Sequence, residues 1–116
     1  MITMTDIDTR LLDTQRAFDS VAADYDGALG NNALIQRMRE RLWRAVERNV
    51  PIGSRLLDIG CGTGIDAIHF ASRGHQVVAT DWSPQMVDRT RSRAVQSGMT
   101  DRVSAQPIGI EELDRL

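Results

Sequence analysis

Residues 58–64, Asp-Ile-Gly-Cys-Gly-Thr-Gly, constrain this chain more than any other stretch. Gly60, Gly62 and Gly64 stand at alternate positions between an apolar run, Arg55–Ile59, and a helix-like run, Ile65–Ser72. A glycine inside a helix or strand costs about 0.5–1 kcal/mol relative to alanine, so the cluster is tolerable only as a turn. The apolar run before it, bounded by glycine, reads as a short strand buried on both faces. The run after it reads as a helix, with Ile65, Ile68 and Ala71, or Ile68 and Phe70, toward a sheet. Its N-terminus offers unpaired N–H groups and the positive end of the helix dipole. A strand, a tight glycine turn and a helix start together make a ligand cradle at the carboxyl end of the strand.

The remaining pattern supplies the frame. Leu11, Leu12, Ala17, Phe18, Val21 and Ala22 predict a helix from Thr9 to about Tyr25. A second helix is expected from about Asn32 to Asn49, with Ile35, Met38, Leu42 and Val46 on one apolar face and Arg37, Arg41, Arg44 and Arg48 mostly on a solvated one. Pro51 and Gly53 end it. His75–Thr80 is a second strand. Ser83 followed by Pro84 opens a third helix, which Gly98 stops. Val103 to about Pro107 is a weaker strand suited to a sheet edge, and Glu111 and Glu112 open a last short helix. Strands alternating with helices predict an α/β fold with a parallel sheet and right-handed crossovers.

Composition narrows the function. The net charge of -2 argues against bulk electrostatic binding to nucleic acid and predicts no membrane attraction. A lone cysteine, Cys61, forms no internal disulfide and fits a reducing compartment, and nothing resembles a secretory signal, so the chain reads as cytoplasmic. No metal-ligand cluster or catalytic constellation emerges, and the catalytic residues are unknown. His69 and His75 read as structural or surface residues.

The turn discriminates among ligands. The dinucleotide fingerprint G-x-G-x-x-G requires its third glycine where Ile65 stands, and Asp58 would sit close to a diphosphate. A phosphate loop of the G-x-x-x-x-G-K-[ST] type is absent. The second strand instead delivers Asp81 at its carboxyl end, placed to accept hydrogen bonds from a ribose diol. Trp82 offers an aromatic wall and Met86 a flexible thioether, so the three describe an adenosine pocket.

Leu56–Gly64 with Val77–Val87 resembles the class I S-adenosylmethionine-dependent methyltransferases: D-x-G-x-G-x-G matches Asp58–Gly64, and the ribose acid matches Asp81. Phe18–Asp26 resembles the F-D-x-x-A-x-x-Y-D segment of the small-molecule branch. The resemblance implies two lid helices over residues 1–50 and a Rossmann-like cofactor domain over 51–116, with about three strands in the order 3-2-1. It implies that Gly60, Cys61, Gly62 and Gly64 pass the methionine part of S-adenosyl-L-methionine, that Asp58 orients its ammonium end, and that Asp81 holds the ribose. Trp82 and Met86 would flank the adenine, Tyr25 would lie near the sulfonium, and Arg39 would meet the carboxylate. The family's usual adenine-binding acid falls at Gly109, so the backbone of Gly109 and Ile110 stands in, ahead of Glu111 or Glu112.

The length implies an incomplete half of that seven-stranded fold. The chain is expected to be the cofactor-binding part of a methyltransferase with a small-molecule acceptor, inactive alone. A non-catalytic module for S-adenosylmethionine or S-adenosylhomocysteine and half of a nicotinamide-dependent oxidoreductase are the alternatives. The first strand would then be a bare edge, through which Leu56, Leu57 and Ile59 could join two chains into a homodimer.

Overall fold

A computed structural model describes residues 12, 13, 15, 16 and 32–116. Leu12, Asp13, Gln15 and Arg16 are helical; the rest of the helix expected over 9–25, Tyr25 included, lies outside the described residues. From there the order is α1 (Ala33–Asn49), β1 (Arg55–Ile59), α2 (Ile65–Ser72), β2 (Gln76–Thr80), α3 (Pro84–Gln96), β3 (Val103–Gln106) and a closing 3-10 helix (Ile110–Arg115).

All three strands run parallel, with β2 in the middle. Leu57 lies beside Val78, and Ala79 beside Ala105. Helices α2 and α3 touch each other and pack on the sheet, as right-handed crossovers require for successive parallel strands. Between them lies the core: Val77, Ala79, Val103 and Ala105 of the sheet meet Ala67, Phe70 and Ala71 of α2 and Val87 and Ala94 of α3. Residues alternate across the sheet, so the opposite face carries Leu57 and Ile59 of β1. Sequence predicts β1 to be covered on both faces. Leu57 and Ile59 are instead each 49% exposed, with β1 at the edge of the sheet.

Helix boundaries follow local chemistry. Asn32 caps α1, its Oδ1 accepting the Ile35 N–H at 3.0 Å, and Ser83 Oγ accepts the Met86 N–H at 3.2 Å to start α3 ahead of Pro84. The roll of α1 differs from the expected one. Met38 and Leu42 face solvent, while Trp43 and Val46 lie against the core and Arg39 is mostly covered. Trp43 stacks on His69 of α2, ring centroids 3.7 Å apart, and its Nε1 donates to Asp66 Oδ1 at 2.8 Å. Arg39 Nε reaches the same Asp66 oxygen at 3.1 Å. These polar and aromatic contacts outcompete the burial of two flexible apolar side chains.

Gly64 explains one of the alternate glycines by packing alone. It has φ of +89°, and a Cβ there would stand 2.8 Å from Thr90 Oγ1 and 3.0 Å from Thr90 Cα. Gly98 has φ of +69° with open space around it. Gly64→Ala is therefore expected to lower stability by about 2–4 kcal/mol, from strain plus overpacking, and Gly98→Ala by about 1–2 kcal/mol from strain alone. Urea unfolding of the two variants checks the order.

Candidate functional site

The glycine turn is held from several sides at once. The Thr80 carbonyl accepts from both Gly60 N–H and Cys61 N–H at 2.8 Å, locking the end of β1 to the end of β2. Asp81 follows directly. Its Oδ2 accepts the Gly62 N–H and its Oδ1 the Ser83 N–H, each at 2.9 Å. From α3, Thr90 Oγ1 donates to the Gly62 carbonyl at 2.9 Å and Arg93 Nε to the Thr63 carbonyl at 3.0 Å. Gly60 and Gly62 have φ of +74° and +58°, conformations natural only to glycine.

Above the turn lies a cavity of about 280 Å3, lined by Ile59, Gly60, Gly62, Asp81, Trp82, Met86, Gly109 and Ile110. Seven of these eight are residues the sequence singles out; Ile59 is the addition, brought in as the last residue of β1. The volume is at the lower edge of the ~300–1,000 Å3 usual for small-ligand sites, which suits a nucleoside-sized part of a larger ligand. Each Asp81 oxygen keeps acceptor capacity after its backbone bond. The indole of Trp82 closes on the β3 side: a Cβ on Gly109 would lie 2.7 Å from Trp82 Nε1 and would collide with the Glu111 carboxylate. Glycine at 109 thus lets Trp82 and Glu111 approach the same point, whereas Glu112 pairs with Arg115. Gln15 Nε2 donates to the Trp82 carbonyl.

Four other candidates lie elsewhere. Gly64 is buried against Thr90, as described. Cys61 points away from the cavity: it is buried, its Sγ is 3.4 Å from Thr90 Oγ1, and burial pushes its thiol up to about 12. It is filler, not a nucleophile. Arg39 is held by Asp66 and does not line the cavity. Asp58 does not line the cavity, and its Oδ2 is buried and unpartnered among the described residues. Tyr25 lies outside the described residues. Sequence reasoning passed over Thr80, Thr90 and Arg93, which hold the turn through a carbonyl, a hydroxyl and a guanidinium from distant elements; no local pattern marks them.

Residues 56–115 match the family model described as a methyltransferase domain. The chain is 35% identical over 92 residues to the tRNA 5-carboxymethoxyuridine methyltransferase of Escherichia coli (strain K12), an alignment covering 76% of this chain and 35% of the relative. It is 31% identical over 101 residues to the demethylmenaquinone methyltransferase of Corynebacterium glutamicum (strain R), covering 81% of this chain and 43% of the relative. Among solved structures, it resembles a SAM-dependent methyltransferase from Geobacter sulfurreducens in complex with S-adenosyl-L-homocysteine. That match has 26% identity and a TM-score of 0.51, over 60% of this chain and 28% of the other. The chain thus spans less than half the length of these two curated relatives.

Asp58 carries a measurable consequence. Burial first, then the neighbouring Asp66 and Asp81 carboxylates, raise its pKa from 3.8 to about 6, against a smaller lowering by Arg39. Between these two values the folded chain keeps a proton on Asp58 that the unfolded chain has lost, so the contribution of Asp58 to stability falls as pH rises from about 4 to about 6 and changes no further above that. Asp58→Asn should remove that slope and raise stability at neutral pH by about 2 kcal/mol. Urea unfolding at stepped pH tests it.

Proposed function

The chain belongs to the class I S-adenosylmethionine-dependent methyltransferases, and on that premise we propose that its cavity binds S-adenosyl-L-methionine for methyl transfer to a small-molecule acceptor. The observation that carries this reading is the convergence of Gly60, Gly62, Asp81, Trp82, Met86, Gly109 and Ile110 on one cavity at the carboxyl ends of the strands. Asp81 would accept the ribose hydroxyls with the capacity its backbone bonds leave. Trp82 and Met86 would enclose the adenine, with the backbone of Gly109 and Ile110 at its edge and Glu111 beside them. Asp58 does not line the cavity, so its unpartnered Oδ2 would help to orient the ammonium end of the methionine part through a bridging water. When bound, the cofactor supplies an electrophilic methyl group. Transfer of that group relies on orientation and exclusion of water more than on acid or base residues.

The lining supports a small acceptor. Among the described residues that line the cavity, the side chains are uncharged apart from the Asp81 carboxylate, and none is a cation. The relative named for demethylmenaquinone agrees with this. The relative named for tRNA favours a nucleic-acid acceptor as the second reading.

The open edge of β1, with Leu57 and Ile59 half exposed, supports pairing of two chains across a two-fold axis. A light-scattering mass that stays at one chain at high concentration would remove that part of the proposal.

Calorimetry on the chain itself tests the site. S-adenosylhomocysteine is expected to bind and NAD is not. Asp81→Asn should weaken the binding at least tenfold, or about 1.4 kcal/mol. Affinity should also fall below about pH 6 as Asp58 gains its proton, because a neutral carboxyl loses its attraction for an ammonium group. Unchanged affinity in Asp81→Asn would remove the ribose assignment.

A further inference from the structure

Helix α1 presents two stripes to solvent that the cofactor site does not use. Leu34, Met38 and Leu42 follow one another at four-residue spacing and are 65%, 59% and 49% exposed. Beside them run Arg37, Arg41, Arg44 and Arg48, spaced four, three and four residues apart and all exposed. With 3.6 residues per turn, each set forms one narrow band, and the bands are adjacent. Arg44 makes a loose pair with Glu40 at 3.8 Å; Arg37, Arg41 and Arg48 have no ion-pair partner among the described residues.

The roll that exposes both bands is set by the opposite side of the helix. The Trp43–His69 stack and the two bonds that Asp66 accepts from Trp43 and Arg39 hold the inner face. Glu47 adds His69 Nε2 at 3.4 Å and Arg73 Nε at 3.5 Å. The stripes are therefore presented by a fixed helix. Asp66 opens α2 at the cavity end of the sheet, so the first turns of α1, with Leu34, stand at that same end.

The net charge of -2 is an average over the whole chain. Locally, α1 sets Arg37, Arg39, Arg41, Arg44 and Arg48 against Glu40 and Glu47. The pairing of the two bands selects the partner. A nucleic-acid backbone would satisfy the arginines and leave the leucine–methionine band in water. An antiparallel second copy would cover the apolar band and bring two arginine bands side by side. An anionic bilayer surface satisfies both, because apolar side chains enter the acyl boundary while basic ones meet headgroups. No helix among the described residues is long and apolar enough to cross a membrane, so the contact is interfacial.

We propose that the outer face of α1 docks on an anionic lipid surface, with Leu34, Met38 and Leu42 at the acyl boundary and Arg37, Arg41, Arg44 and Arg48 at the headgroups. This goes beyond the cofactor reading and stands without it. The test is co-sedimentation of the chain with vesicles of equal parts phosphatidylglycerol and phosphatidylcholine, and with pure phosphatidylcholine vesicles. The expected result is binding to the anionic vesicles, at least tenfold weaker binding to the neutral ones, and release by salt. Arg41→Gln and Arg48→Gln should each weaken binding about fivefold. Met38→Gln and Leu42→Gln should each weaken it about tenfold, with thermal unfolding and S-adenosylhomocysteine binding unchanged. Absence of vesicle binding, or equal binding by the double variant Met38→Gln/Leu42→Gln, overturns the proposal. So does either alternative partner: tRNA retention lost in Arg41→Gln without vesicle binding, or a two-chain mass abolished by Leu42→Gln.

Discussion

Two backbone N–H groups converge on the Asp81 carboxylate, from Gly62 on one side and Ser83 on the other. Much of the molecule depends on that convergence. Hydrogen bonds to an ionised acceptor contribute about 1.5–3 kcal/mol each. These two fix the turn after β1 against the turn after β2, where the sheet itself has stopped. Gly60 and Cys61 add their N–H groups to the Thr80 carbonyl one residue earlier. The cavity floor and the junction of the first two strand–helix units are thus made by the same bonds. A change at Asp81 acts on both, which is why stability and ligand affinity need to be read together there.

A second dependence runs through Asp66. It stands in the first turn of α2, where a carboxylate is favoured by the helix dipole, and one of its oxygens takes both Trp43 Nε1 and Arg39 Nε. That oxygen decides which side of α1 faces inward. It also lies in the field of Asp58, whose raised pKa reflects burial first and the Asp66 and Asp81 charges next. The docking of α1, the charge of Asp58 and the exposure of the two outer stripes are therefore coupled through a few acids and one arginine.

The elements were legible because their signals are local. Ser83–Pro84 starts α3, Gly74 and Gly98 adopt positive φ just after helices, and the runs at Arg55–Ile59 and Val103–Gln106 form strands. The cavity residues were legible because their positions in the motifs imply a shared end of the sheet. The roll of α1 was not. Its apolar periodicity favours burying Met38 and Leu42, yet the stack with His69 and the bonds to Asp66 come from a segment more than twenty residues away. The separate purposes of the glycines were equally hidden: Gly60 and Gly62 shape the turn, while Gly64 makes room for Thr90.

By itself, the sequence determined the order of strands and helices, the parallel sheet and the family, since turn-forming glycines, helix caps and the spacing from Asp58 to Asp81 are properties of neighbouring residues. Only the tertiary structure decided which face of β1 and of α1 meets water, that Cys61 and Gly64 turn to α3 and not to the cavity, and that Arg39 is held by Asp66. Those outcomes depend on which distant groups arrive to share a hydrogen bond or exclude a side chain. Periodicity along one segment carries no information about a partner brought to it by the fold.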